Sequence, residues 1–198
     1  MRDCDIRSVL KIEIEFAHPC AAIFDEFPVC RKGRADVVAV NAALRGYEIK
    51  SERDSLARLP LQIERYDCIF DFCTIVAAER HLKQAGKIVP EHWGIFVANG
   101  TASECSIVEL RAPAHNPNRQ REHIIRILWK TEWIKTLRDR GIEIRSGASV
   151  RKVWNALQSF SITDLAETVR RALKARNSTQ FGVQQTLGDD SHTIAPIA

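Results

Sequence analysis

The sequence lacks any run of about 18 apolar residues, the length that a transmembrane helix requires. Its N-terminus, MRDCDIRSVL, contains two acidic residues and no apolar block followed by small residues. A secretory signal is therefore not expected. These absences predict a protein of the cytoplasm that does not insert into a membrane.

The six cysteines show none of the spacings that are typical of a zinc site or a redox-active pair. No two of them form Cys-x-x-Cys, and Cys68 and Cys73 lie in an apolar stretch. A free thiol in such a stretch behaves as a small hydrophobic group. We therefore predict reduced, structural thiols.

Glycine and proline are scarce, at 9 and 7 of the 198 residues, and no internal repeat is visible. The remaining composition, with 45% hydrophobic and 27% charged residues, is that of an ordinary globular protein. The chain is long enough for one full domain and a small appendage without disulfides or structural metal.

Charge is distributed unevenly along the chain. Residues 1–118 contain 15 Lys and Arg against 17 Asp and Glu, a balance of −2, whereas residues 119–176 contain 14 against 6, a balance of +8. A basic block beside an acidic site suits a nucleic-acid enzyme, because cations hold the phosphate backbone and carboxylates hold metal. A solvated helical face is the alternative interpretation.

Short apolar segments between turn signals predict strands, and apolar residues three or four positions apart predict helices. Pro60 is expected in the first turn of its helix and Gly86 at a helix C-cap. The predicted strands are 21–27, 35–40, 47–50, 71–78, 92–99 and 106–111, and the predicted helices are 5–17, the second half of 55–70, 79–86, 120–140, 148–158 and 162–176.

This order predicts an α/β fold in which a mixed β-sheet flanked by helices is followed by a small C-terminal helical subdomain. The first three strands are joined by short turns and should form an antiparallel meander. The segment APAHNPN marks the best internal boundary. We therefore divide the chain into a core (1–118), a basic helical subdomain (119–176) and a flexible tail (177–198).

Three charged residues lie on two predicted strands that are otherwise apolar: Asp36 on the first, Glu48 and Lys50 on the second. Because side chains alternate along a strand, Glu48 and Lys50 point to one face. Asp36 is expected to approach Glu48 only where the hairpin splays or twists.

Two neighbouring carboxylates repel each other, and a hard divalent cation such as Mg²⁺ relieves that repulsion. Asp36, Glu48 and the carbonyl of Ile49 would offer it oxygen ligands. Lys50 would orient or help to deprotonate a water and offset charge at a reacting phosphate. These are the groups that a metal-dependent phosphodiester hydrolase requires.

The same residues admit a structural interpretation, with Asp36 capping a strand and Glu48 and Lys50 forming an ion pair on an exposed strand. The apolar neighbours argue against it, because they leave little room for a solvated face and unpaired buried charges are unfavourable.

Asp36, followed after eleven residues by Glu48-Ile49-Lys50, resembles the core motif of the PD-(D/E)xK nuclease superfamily, whose fold is called restriction-endonuclease-like. In that resemblance Asp36, Glu48 and the Ile49 carbonyl hold the metal and Lys50 acts on water. Pro is replaced by Ala35 before Asp36, a departure that the superfamily tolerates.

Two further features extend the resemblance, which covers about residues 20–100. Glu26, ten residues before Asp36, corresponds to an additional acidic residue of the metal site in many members. Gln62 and Tyr66 are similar to the QxxxY motif of the RecB-like branch and would orient the site. They lie four apart, hence on one helical face, although Tyr66 in the core and Gln62 on the surface is the alternative.

The resemblance implies a nuclease that acts on DNA with Mg²⁺, or Mn²⁺ as a substitute, in DNA repair, restriction or phage defence. The basic helices would contact the DNA backbone, or they would bind a protein partner or form a homo-oligomer. A non-catalytic nucleic-acid-binding or protein-interaction module on the same fold is the alternative function.

The isolated His81 and His92 are interpreted as structural, and most of the tryptophans as core residues.

Overall fold

A computed structural model describes residues 1–30 and 33–180, with side chains as far as Arg176. The chain divides into two compact units between Arg119 and Gln120. Of the predicted flexible tail, residues 181–198 lie outside the described residues. The two units are described separately below.

The first unit is built on one six-stranded sheet in which the strands lie in chain order. The first three strands form an antiparallel meander, the third, fourth and fifth are parallel, and the sixth is antiparallel to the fifth. The predicted mixed sheet and its meander are thereby confirmed. The strands are β1 (Ala22–Val29), β2 (Gly33–Val40), β3 (Leu44–Lys50), β4 (Phe72–Ala78), β5 (Gly94–Asn99) and β6 (Ser106–Arg111).

Helix α1 (Asp3–Ala17) covers one face of this sheet. Its buried residues Ile6, Leu10 and Ile14 are four apart and form one stripe. They belong to a single buried cluster with Val37 and Ala39 of β2, Tyr47 and Ile49 of β3, Val76 of β4 and Ala98 of β5. The segment KIEIEF alternates apolar and charged residues as a strand would, but it is helical. The apolar stripe of α1, with residues four apart, packs against the sheet.

Helix α2 (Leu59–Asp67) follows a 3₁₀ turn (Leu56–Arg58) and includes Pro60 in its first turn, as predicted. A second 3₁₀ turn (Glu79–His81) leads into helix α3 (Leu82–Ile88). The prediction of Gly86 as a C-cap is wrong, since Gly86 lies inside α3 and Val89 is the C-cap. Val89 ends the helix in an extended conformation directly before Pro90, where the α conformation is disfavoured.

The second unit contains helices α4 (Arg121–Ile125), α5 (Lys130–Asp139), α6 (Val150–Leu157) and α7 (Ile162–Gln180). The prediction of one helix over 120–140 is wrong. Trp129 adopts an extended conformation, and its N–H donates to the Glu132 carboxylate at 2.7 Å, so that a new helix begins at Lys130. Among the described residues, no helix combines the length and hydropathy needed to cross a bilayer.

The core of the second unit comes from the apolar stripes of these helices. Leu128, Trp133, Leu137, Val153 and Leu157 are all fully buried. Trp129, in contrast, is half exposed, with the Arg176 guanidinium 4.4 Å from its ring centroid. Trp93 and Trp133 are core residues, whereas Trp129 is half exposed and Trp154 partly buried, so the prediction for most of the tryptophans holds for two of the four.

Candidate functional site

The predicted carboxylates lie where β2 and β3 separate. The ladder between these strands ends at the pair Val37 and Tyr47, so Asp36 and Glu48 occupy the next position and lie opposite each other in register. Beyond the ladder, the Ile49 N–H donates to Asp36 Oδ2 at 2.7 Å. At the fork, the Asp36 carboxylate thus accepts the hydrogen bond of the Ile49 N–H in place of a backbone carbonyl. Asp36 and Glu48 therefore lie opposite each other at the point where the hairpin splays.

Glu48 is buried, with 1% of its surface exposed, and its carboxylate accepts hydrogen bonds from three side chains. Lys50 Nζ lies 2.6 Å from Oε1, and Gln62 Nε2 donates to the same oxygen. The Tyr66 hydroxyl lies 2.8 Å from Oε2. The structure therefore brings together Asp36, Glu48, Lys50, Gln62 and Tyr66 around one buried carboxylate.

Tyr66 joins the two sides of the fork. Its hydroxyl accepts from the Asp36 N–H at 3.2 Å, and Glu48 Oε2 is its nearest acceptor. The ring is fully buried against Phe70 and Trp93, with centroid distances of 5.1 and 5.4 Å. Of the alternative interpretation, Tyr66 is indeed in the core, but Gln62 is partly buried rather than on the surface, and both residues contact Glu48.

The carboxylates of the site are held in surroundings that favour their neutral forms. Burial, followed by the nearby Glu48 carboxylate, raises the pKa of Asp36 to about 7. Burial also raises the pKa of Glu48, although the Lys50 ammonium opposes that shift. A cation bound between these two groups would favour their charged forms and so oppose both shifts.

Oxygen atoms with free lone pairs remain on several of these side chains. Glu48 Oε1 takes two donors, but Glu48 Oε2 and Asp36 Oδ2 take one each. Gln62 Oε1 is buried and has no hydrogen-bond partner among the described residues. Carboxylate and amide oxygens are the ligands that Mg²⁺ prefers, so this donor set fits a hard divalent cation.

Glu26 lies beside the fork but contacts cations instead of Glu48. Its carboxylate is 2.9 Å from Arg7 Nη2 and 3.0 Å from Arg34 Nε. The backbone at Glu26 has φ +50°, a left-handed conformation that is rare outside glycine. Asp25 also approaches Arg7, at 3.6 Å. The prediction that Glu26 supports a metal stays a prediction.

Sequence reasoning missed Arg7. From α1 its guanidinium donates to the Asp36 carbonyl and lies 3.8 Å from Asp36 Oδ1, while Asp3 is paired with it at 2.9 Å. The spacing of Asp3 and Arg7 indicates an ordinary ion pair on one helix. Only the packing of α1 on the sheet brings this arginine to the fork.

His81, His92 and the nearby Asp54 each contact a polar group next to the core. The His81 ring nitrogen lies 3.0 Å from the Ser51 carbonyl, and His92 lies 3.0 Å from the Asp67 carboxylate. Asp54 accepts from the Ser51 N–H at 2.8 Å and closes the turn after β3. Each contact satisfies a polar group next to the core.

The model of one known protein family matches most of the chain. The family model of Bacteriophage P4 protein cII matches residues 10–193. The chain belongs to this cII family. Asp36, Glu48, Lys50, Gln62 and Tyr66 all lie within the matched part of the cII-family chain, and Arg7 precedes it.

One curated relative is Protein cII of Enterobacteria phage P4, which is 33% identical over 92 residues. That match covers 45% of the cII-family chain and only 35% of the phage protein. Among solved structures, a protein of unknown function from Silicibacter pomeroyi, SPO1766, is similar at 16% identity with a TM-score of 0.40. It covers 75% of this chain and 88% of its own.

Proposed function

We propose that this chain is a metal-dependent phosphodiester hydrolase that acts on DNA and has a restriction-endonuclease-like fold. The observation that carries the proposal is the pair of opposed carboxylates, Asp36 and Glu48, at the fork of β2 and β3, with Lys50 on the face of Glu48. This is the arrangement that the D…ExK motif requires. The mixed sheet with α1 and α2 packed against it supports the same assignment of fold.

Asp36 and Glu48 would hold Mg²⁺, or Mn²⁺ as a substitute, together with the Ile49 carbonyl, and Gln62 Oε1 is a further oxygen at the site. When bound, the ion would offset the negative charge of the carboxylates and polarise a phosphoryl oxygen. Glu26 is proposed as a more distant acidic support, since Arg7 lies between its carboxylate and Asp36.

Lys50 would orient the attacking water and stabilise the negative charge that develops on phosphate. In hydrolysis the water gives up a proton as its oxygen forms a bond to phosphorus, one ester P–O bond breaks, and the leaving oxygen takes up a proton. Lys50 suits this role because its buried ammonium is held by Glu48 at 2.6 Å. Gln62 and Tyr66 also hold the Glu48 carboxylate, Gln62 at Oε1 and Tyr66 at Oε2.

The experiment is a cleavage assay with purified protein on single-stranded, duplex and branched DNA, with Mg²⁺, with Mn²⁺ and with EDTA. We expect cleavage that depends on metal and is lost in Asp36→Ala and Lys50→Ala. Asp139→Ala, an exposed acid of α5, is the matched control and should cleave like the wild type.

Two outcomes would contradict the proposal. Cleavage that persists in EDTA or in both site variants would place the activity elsewhere. Binding of DNA without cleavage on any substrate, unchanged by the two substitutions, would instead support a non-catalytic module on the same fold.

A further inference from the structure

The exposed side of α6 and the segment before it carry basic residues in a stretch of sequence that contains no acid. Between Glu143 and Asp164 the chain has no acidic residue but contains three basic ones, Arg145, Arg151 and Lys152. All three are exposed, and in the part of the chain that the structure describes no carboxylate forms an ion pair with them. They therefore present uncompensated positive charge to solvent.

Many of the other basic residues of this unit stabilise its fold. Arg138 Nε donates to the Ile144 carbonyl at 2.8 Å, and Lys130 Nζ to the Ala148 carbonyl at 3.2 Å. Arg121 donates to the Phe160 carbonyl, and Arg176 pairs with Glu132. These four basic residues thus tie the described part of the unit together internally, whereas Arg145, Arg151 and Lys152 do not.

The exposed stripe of α6 also carries amide side chains. Arg151, Asn155 and Gln158 are four and three positions apart, hence on one helical face, and all are exposed. The opposite face is apolar, because Val153 and Leu157 are buried in the unit. Arg, Asn and Gln are the side chains that form paired hydrogen bonds with guanine and adenine edges in the major groove.

We infer that α6 enters the major groove of duplex DNA, with Arg151, Asn155 and Gln158 contacting base edges and Arg145 and Lys152 contacting phosphates. The helix rise places the three base-contacting residues over about 10 Å, or about three base-pair steps. This inference rests on the proposed DNA substrate and adds to it a preference for particular sequences.

Two other exposed cations of the unit, Lys135 and Arg171, have an acid one helical turn away. Lys135 on α5 has Asp139 four residues later, and Arg171 on α7 has Glu167 four residues earlier. A carboxylate at that spacing would oppose an approaching phosphate. The stripe on α6 combines positive charge, paired-hydrogen-bond side chains and the absence of a neighbouring acid in sequence.

The experiment is binding of the full chain, in EDTA, to a library of duplex DNA with randomised positions, followed by fluorescence anisotropy on the enriched and scrambled duplexes. We expect the wild type to prefer the enriched duplex by about tenfold or more. The variant Arg151→Ala/Asn155→Ala/Gln158→Ala should lose this preference. Lys152→Ala should weaken binding to both duplexes equally and reduce the salt slope by about one.

Matched controls separate these effects from a general loss of charge or structure. Lys135→Ala and Gln84→Ala remove an exposed lysine and an exposed amide outside α6, and both should keep the preference. Circular dichroism of the triple variant should match the wild type, since its three positions are exposed.

The outcomes of this experiment are independent of those of the cleavage assay. Cleavage of DNA by a protein that enriches no sequence, or a triple variant that keeps the wild-type preference, would overturn the inference and leave the nuclease intact. A preference that the triple variant loses, in a protein that never cleaves, would support the inference and refute the nuclease. Binding to single strands or RNA alone would also overturn it.

Discussion

Lys50 Nζ lies 2.6 Å from Glu48 Oε1, and both residues are almost fully buried, at 3% and 1% exposure. Two charges on alternate positions of one strand are thus enclosed by α2 and the sheet. A buried pair of this kind is weak evidence for stability, because desolvation offsets much of the attraction. Its burial among apolar and aromatic side chains is the pattern expected if these residues serve the proposed function.

We predict that breaking this pair destabilises the protein more than removing it. Lys50→Ala leaves a buried carboxylate without its cation and should lower the free energy of unfolding by roughly 3–5 kcal/mol. The variant Glu48→Gln/Lys50→Met removes both charges and should lie within about 1 kcal/mol of the wild type. Urea unfolding measures both. Equal destabilisation in the two variants would mean that the charges do not depend on each other.

Asp36 should make the metal-free protein less stable as the pH rises. Its pKa is raised to about 7 in the folded chain, above the ordinary value of 3.8, so the proton is held more tightly after folding. The resulting stabilisation is fully present below pH 3.8 and is lost as the pH rises through 7. At most it amounts to ~4 kcal/mol.

The measurement is thermal unfolding in EDTA between about pH 5 and about pH 8, with Asp36→Asn as the comparison. Because other groups also titrate, the contribution of Asp36 is given by the difference in stability between the wild type and Asp36→Asn. The wild type should lose stability relative to Asp36→Asn as the pH increases. A difference that stays constant over this range would show that Asp36 titrates normally.

Divalent metal should stabilise the folded chain through the same carboxylates. A ligand that binds only the native state at a hundred times its dissociation constant adds about 2.7 kcal/mol. Mg²⁺ or Mn²⁺ should therefore raise the melting temperature of the wild type at pH above 7, and EDTA should reverse the change. Asp36→Asn should respond less, and an equal response would locate the ion outside the fork.

Two glycines should respond to alanine in opposite directions. A Cβ at Gly46 of β3 would lie 2.4 Å from the Phe70 ring, so Gly46→Ala should lower the free energy of unfolding by about 1–3 kcal/mol. At Gly86, inside α3, the nearest atom is 4.0 Å away, and alanine should stabilise the helix by about 0.5–1 kcal/mol. Urea unfolding of both variants tests this. A neutral Gly46→Ala would indicate that Phe70 moves freely.

Several parts of the fold followed from local patterns. The strands, the antiparallel meander and the position of Pro60 were predicted correctly, because alternation, turn residues and the missing proline N–H act over a few residues. The predictions that failed concern helix ends. The break before Lys130 depends on one cap, and the end of α3 depends on one extended residue before Pro90.

The sequence by itself determined which residues are available at the site: Asp36 before one turn, Glu48 and Lys50 after it, and a glutamine and a tyrosine four apart on the next helix. Tertiary structure alone decided that β2 and β3 separate beyond the pair Val37 and Tyr47, on the side away from the turn. It also decided that Tyr66 bridges the fork and that Arg7 approaches from α1. Register and helix packing set these contacts, and both depend on residues far apart in the chain, which spacing along the sequence does not encode.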